Sequence, residues 1–113
     1  MSAFSSAELA YLTGKPGLGR LATVGADGMP HVVPVGWTYN ESTDSISVTG
    51  RDFAATRKFR NAQANPKVAI VIDDVLPPWR PRSVMIQGSA EVRTEDAMIR
   101  IVPTRVISWG LGE

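Results

Sequence analysis

The chain has 113 residues and a mass of 12.2 kDa, with 43% apolar and 20% charged residues, the size and make-up of one domain, residues 1–113, around a single core. It has no cysteine and one histidine, which leaves no disulfide or thiolate nucleophile, and no metal site is expected. The net charge is +1, yet residues 51–67 hold five bases (Arg51, Arg57, Lys58, Arg60, Lys67) against one acid, Asp52; so local an excess points to a small anionic ligand, and no nucleic-acid partner is expected.

Ser5 is placed as an N-cap with Glu8 three residues on, and Phe4 and Leu9 stand at the positions of a hydrophobic staple, which predicts a helix over about residues 6–13. Gly14 is the expected left-handed cap, and Pro16 stops the helix. From Leu18 to Val24 the residues alternate as in a strand, and Asp27-Gly28 supplies a hairpin turn. A second strand is expected from Met29 to about Tyr39, and a third from Ser45 to Thr49 beyond a polar turn. The period then becomes helical, with Phe53, Thr56, Phe59, Arg60 and Gln63 three and four apart until Asn65-Pro66.

Lys67–Ile72 reads as a buried strand. Its apolar run, Val68–Ile72, is far short of the roughly 20 residues that cross a bilayer, and the first residues lack a signal-peptide layout. A soluble, cytoplasmic protein with no membrane partner is therefore expected. Asp73–Pro81 reads as a proline-rich loop around Trp79, Arg82–Arg93 as a long strand with Gly88 near its middle, Thr94–Ala97 as a tight turn, and Met98–Trp109 as two short strands broken at Pro103-Thr104. Strands joined by short turns, with one helix after the third, predict a mainly β protein, a small antiparallel barrel.

Two segments invite chemistry. Thr56-Arg57-Lys58 sets a hydroxyl, a guanidinium and an ammonium side by side near a helix start, where free backbone N–H groups and the helix dipole favour a phosphate. The competing reading is a solvated helix face. Val33-Pro34-Val35-Gly36-Trp37 sets a proline and a glycine inside a strand, a pattern that marks a bulge or a backbone surface on which a planar ring can lie, with Trp37 as a wall. The competing reading is an irregular edge strand. His31 reads as a polar surface residue, Asp73-Asp74 as turn residues, and Trp79 and Trp109 as packing residues. No residue stands out as catalytic, so a bound cofactor would carry any reaction.

Arg20–Val24, Asp27–Pro30, Thr56–Lys58 with Asn61, Asn65–Ala69 and Gly88–Val92 occur in the order seen in pyridoxamine 5′-phosphate oxidase-like split β-barrel proteins, which this chain resembles over nearly its whole length. The ending Arg100–Gly110 is similar to the actinobacterial branch of deazaflavin (coenzyme F420)-dependent oxidoreductases. The resemblance implies an FMN-binding-type split barrel of six or seven strands. It further implies a homodimer with F420, or alternatively FMN, in a groove between subunits, and hydride transfer to an unsaturated or quinone-like small molecule. By that likeness Thr56, Arg57 and Lys58 hold the cofactor phosphate, the Val33–Trp37 backbone lies beside the ring, and Ser83 contacts the cofactor where relatives often have glutamine. The carboxylate-rich tail of F420 calls for a basic track, with Arg51, Arg60, Arg80 and Arg82 as candidates. The chain lacks the arginine-rich C-terminal segment of pyridoxamine phosphate oxidases, which argues against pyridoxine metabolism. A non-catalytic protein binding a flavin-like or tetrapyrrole ligand is the alternative.

Overall fold

The computed structural model describes residues 2–50 and 52–112. Helix α1 (Ser6–Thr13) opens with the expected capping box: the Ser5 hydroxyl accepts from the Glu8 amide, and the Glu8 carboxylate accepts from the Ser5 amide at 2.8 Å. Its end differs from expectation. Gly14 stays right-handed (φ −74°) and Lys15 takes the left-handed turn (φ 51°), because the amides of both residues still reach helix carbonyls, those of Ala10 and Leu12.

Strand β1 (Gly19–Val24) pairs antiparallel with β2 (Pro30–Val35) across the turn at Asp27-Gly28, where Gly28 has φ 81°, a conformation that suits a residue without Cβ. The expected single strand 29–39 is two strands. It breaks at Gly36, and β3 (Trp37–Asn40) pairs instead with β4 (Ser45–Val48). The helical segment therefore follows the fourth strand. It begins as a 3₁₀ turn, Phe53–Ala55, and helix α2 (Arg57–Ala64) starts only after Thr56, whose extended backbone (φ −82°, ψ 155°) makes it the N-cap. The Thr56 hydroxyl donates to the Phe53 carbonyl at 2.7 Å and accepts from the Phe59 amide. Eight residues are too few for a stable isolated helix. Burial of Phe59, whose ring meets Phe53 edge-on at 5.5 Å, contributes about 1.5–3 kcal/mol and holds α2 to the barrel.

The segment 73–81 is not a loop. Strand β5 (Lys67–Leu76) runs on into a hairpin with β6 (Arg80–Arg93), leaving only residues 77–79 as the turn. Asp73 and Asp74 tolerate strand positions because each has a cation, Arg20 and Arg82 respectively. The ending is likewise one strand, β7 (Met98–Trp109). A register shift at Gln87/Gly88 leaves Thr104, next to Pro103, as the extra residue, and the Thr104 hydroxyl donates to the Gln87 carbonyl at 3.1 Å. A Cβ on Gly88 would collide with the Val102 carbonyl oxygen, so that crossing needs glycine.

The seven strands form one sheet in the order β2-β1-β5-β6-β7-β4-β3. Its two outer strands, β2 and β3, are joined through Gly36 alone, so the sheet must curl until its edges meet. Inside the curl lie Leu21, Ile46, Ile70, Ile72, Ile86, Ile99 and Ile101, all fully buried. The architecture is a mainly β split barrel with two helices, as expected, and among the described residues no helix is long and apolar enough to cross a membrane.

Candidate functional site

Two stations are candidates for a ligand. The first is the chain break at Gly36. Val35 is opposite Gly19, and Trp37 is opposite Val48, the last residue of β4. Period-two alternation turns Val33 and Val35 inward and leaves Pro34 exposed. A Cβ added at Gly36 would meet nothing within 4 Å, so open space lies beside this backbone. Trp37 is less free than expected: its indole N–H donates to the Gly17 carbonyl at 2.7 Å, and its ring shares with the Ile70 side chain the room left by Gly19.

The second station is the start of α2. By helix geometry the Arg57 and Lys58 amides have no intrahelical acceptor, and no acidic residue stands in the first turn. Arg57 is exposed, while Lys58 lies part-buried with Nζ 5.3 Å from the Phe53 ring centroid, a cation–π contact that presents the ammonium beside the helix start. The Asn61 amide donates to the Thr23 hydroxyl at 3.1 Å and fixes the helix to β1. Arg60 belongs to this helix, but its guanidinium donates to the Ala55 carbonyl at 2.7 Å. The arrangement offers two backbone N–H groups and two cations to a phosphate monoester, while the Thr56 hydroxyl, expected to join them, already donates its proton to the Phe53 carbonyl and serves as the helix cap.

The remaining expected residues separate. Arg82 and Ser83 are neighbours on β6 and so point to opposite faces. Arg82 donates through Nε to Asp74 at 2.9 Å, makes a second bond from its NH2 group, and lies 4.8 Å above the Tyr11 ring. Its hydrogen bonds hold the Asp74 carboxyl below the usual carboxylate range, against the opposing effect of burial and with help from the Tyr11 hydroxyl. Tyr11 itself is pushed well above the usual phenol range, first by burial and then by its 2.9 Å hydrogen bond to Asp74. Ser83 sits opposite Trp109 and Asp73. Arg80 opens β6 at the hairpin tip, and Arg51 lies outside the described residues.

Three expectations change. His31 is half-buried rather than a surface residue; it faces inward opposite Thr23, with Nδ1 sealed from solvent and unpartnered. Trp79 and Trp109 do not pack: they are 74% and 61% exposed. A recess of about 620 Å³, lined among others by Ala22, Val24, Pro30, Ala69, Gln87 and Gly88, went unnoticed in the sequence. It contains none of the expected site residues and lies toward the Pro66 end of α2, about 12 Å along the helix from Arg57. The outward small residues Ala22 and Ala69 were the signal that could have found it.

The chain matches the pyridoxamine 5′-phosphate oxidase family over residues 5–108. It is 43% identical, over 96% of its own length and 84% of the relative's, to a 5a,11a-dehydrotetracycline/5a,11a-dehydrooxytetracycline reductase of Streptomyces rimosus subsp. rimosus. Among solved structures it is similar to the FAD-binding protein from Mycobacterium smegmatis (TM-score 0.71, 21% identity, 96% of this chain and 97% of that one). It is also similar to an F420 reductase (TM-score 0.67, 22% identity, 86% and 94%). Curled sheet, ordered motifs and family match agree: this chain belongs to the pyridoxamine 5′-phosphate oxidase family.

Proposed function

We propose that the protein is a homodimeric oxidoreductase that uses F420 in its reduced form to reduce a carbon–carbon double bond in an unsaturated or quinone-like small molecule. The observation that carries this reading is the acid-free, cationic start of α2, in a chain that also has open space at the Gly36 backbone and is 43% identical to a reductase of a 5a,11a-dehydro compound. The two stations fit a phosphorylated flat ring: Arg57, Lys58 and the first-turn amides hold the phosphate, and the Val33–Gly36 backbone supports the ring. When bound, the deazaflavin supplies the hydride. The chain's own part is to orient the ring, keep water from one face, and offer strand N–H groups to charge that develops on it. The hydride step needs no side-chain acid or base, in keeping with a single, inward-facing histidine, and the proton that completes the saturated bond is taken from solvent water.

The outer sheet face supports the dimer. Val32, Ile107 and Trp109 are exposed apolar side chains at outward positions of β2 and β7, which a second copy would cover. A second reading, FMN in place of F420, is favoured by one observation: Arg60 and Arg82 are engaged by Ala55 and Asp74, which weakens the basic track that a carboxylate-rich tail requires. The test is to add reduced F420, or chemically reduced FMN, and then 5a,11a-dehydrotetracycline, and to follow reoxidation of the ring. Turnover with F420 alone is expected. Turnover with FMN alone reverses the choice of cofactor, and tight binding without turnover on a panel of unsaturated acceptors returns the protein to a binding role.

A further inference from the structure

We propose that His31, Thr23 and Asn61 form a hydrogen-bonded chain that fixes the angle at which α2 presents its first turn to a phosphate; this rests on the reading of that turn as the phosphate's seat. Helix α2 has eight residues, too few to hold its own place. Its far end is tied by backbone, since the carbonyl of Pro66, just past the helix, accepts from the Ala90 amide at 2.7 Å. Phe59 and Ala62 are buried beneath it, but apolar contact has no direction and leaves a short helix free to roll. At the cationic end, Thr56 and Arg60 bond only within their own segment, to Phe53, Phe59 and Ala55. Among the described residues, the one side-chain hydrogen bond from α2 to the sheet is that of Asn61 to Thr23, at 3.1 Å. Asn61 lies one turn beyond Arg57 on the same side of the helix, so this bond sets the roll of the turn that carries Arg57 and the free amides.

Thr23 is an inward residue of β1, 1% exposed, in line with Gly19 and Leu21. A valine would fill the same space without burying a hydroxyl, so the hydroxyl is there for its hydrogen bonds. The Asn61 bond occupies a lone pair and leaves the hydroxyl proton without an acceptor among the described residues. Directly across the strand pair stands His31, whose Nδ1 is sealed from solvent and unpartnered. A hydroxyl with an unused proton is therefore opposite a ring nitrogen with an unused lone pair, at paired positions whose Cβ atoms lie about 4.5–5.5 Å apart. Each group is costly to leave bare, and each supplies what the other lacks.

A small turn of either side chain joins them. The Thr23 hydroxyl then donates to His31 Nδ1, which assigns His31 the neutral form with its proton on Nε2. With the hydroxyl proton turned to β2, the lone pairs of the oxygen are left for α2, where the Asn61 amide donates. Side chains from α2, β1 and β2 thus lock the helix start to the first hairpin. All three are positioning residues, which act on a phosphate only through the turn they hold.

The experiment uses the full chain and two pairs of fluorescent probes, each a phosphorylated ring beside its phosphate-free counterpart: FMN with riboflavin, and F420 with its ring-and-ribityl core. Thr23→Val should bind the preferred phosphorylated ring about tenfold more weakly, the scale of one misaligned charge-assisted contact, and the phosphate-free ring as tightly as the wild type does. Thr23→Ser should restore the lost affinity. Asn61→Ala, which suits a helix, should show the same selective loss, and the double variant Thr23→Val/Asn61→Ala no more than either single one. Equal losses for both members of a pair, or no loss, would overturn the proposal. His31 is the only histidine, so its ring nitrogens are read directly by NMR: the Nε2–H form is expected, with the Nδ1 resonance moving toward that of a free lone pair in Thr23→Val. A resonance identical in the two proteins removes His31 from the chain and overturns the proposal. A wild-type chain that binds both members of each pair equally overturns the reading of the phosphate's seat, and the proposal with it, even where the nitrogen spectrum shows the Thr23 bond.

Discussion

The indole N–H of Trp37 donates to the carbonyl of Gly17 across 2.7 Å, and it does so at the point where the sheet's two outer strands meet. Trp37 begins β3, while Gly17 leads into β1, the neighbour of β2. The bond therefore spans the seam of the curl. Replacing Trp37 with Phe keeps most of the packing on Gly19 but removes the donor, and should lower stability by about 1 kcal/mol. Chemical denaturation reads this as a lower midpoint with an unchanged slope. An unaltered midpoint would mean the seam is held by the sheet alone.

Gly36 separates fold from function. A methyl group there meets nothing within 4 Å, so Gly36→Ala should fold with a melting temperature close to that of the parent. Ring binding should still weaken, because the methyl group occupies the face on which the ring rests. Gly88→Ala is the contrasting control: its methyl group collides with the Val102 carbonyl, and the expected loss is one of stability, about 1–3 kcal/mol, visible by thermal unfolding. Equal ring binding in Gly36→Ala and the parent would move the ring away from this strand.

The Asp74–Arg82–Tyr11 cluster makes a pH-dependent contribution. The carboxyl of Asp74 titrates lower in the folded protein than in the unfolded chain, so the unfolded state binds more protons as the solution is acidified. Its stabilisation is complete above the ordinary aspartate value, about 3.9, and is lost as pH falls through the depressed value. Asp74→Asn should therefore be less stable than the parent at neutral pH and show a flatter loss of stability below about pH 4. Urea melts taken at pH 7 and pH 3 would reveal parallel losses in the two proteins if Asp74 played no such part.

The features legible in the sequence were those written in neighbouring residues. Ser5 and Glu8 announced the helix start because both partners of that cap lie within one turn, and Thr56-Arg57-Lys58 announced the cationic helix start for the same reason. What Gly36 does was only half legible. Its glycine and the nearby Pro34 mark an irregular strand, but the switch from one edge of the sheet to the other depends on which strands pair, a relation between distant residues. Asp73 and Asp74 look like loop residues until Arg20 and Arg82 are brought beside them by pairing. The separation of Arg82 from Ser83 was available all along in the two-residue period of a strand. The exposure of Trp79 was not, because it follows from β1 and β7 ending before the hairpin does.

The central claim is that the start of α2 grips the phosphate of a flat redox ring. The most direct measurement is a fluorescence titration of the wild-type chain and of Arg57→Ala/Lys58→Ala with F420 and with FMN, alongside circular dichroism to verify the fold. Each lost charge-assisted contact should cost about 1.5–3 kcal/mol, so the double variant should bind the preferred ring at least a hundredfold more weakly with its spectrum unchanged. A folded double variant that binds as tightly as the wild type would place the phosphate elsewhere and contradict the account.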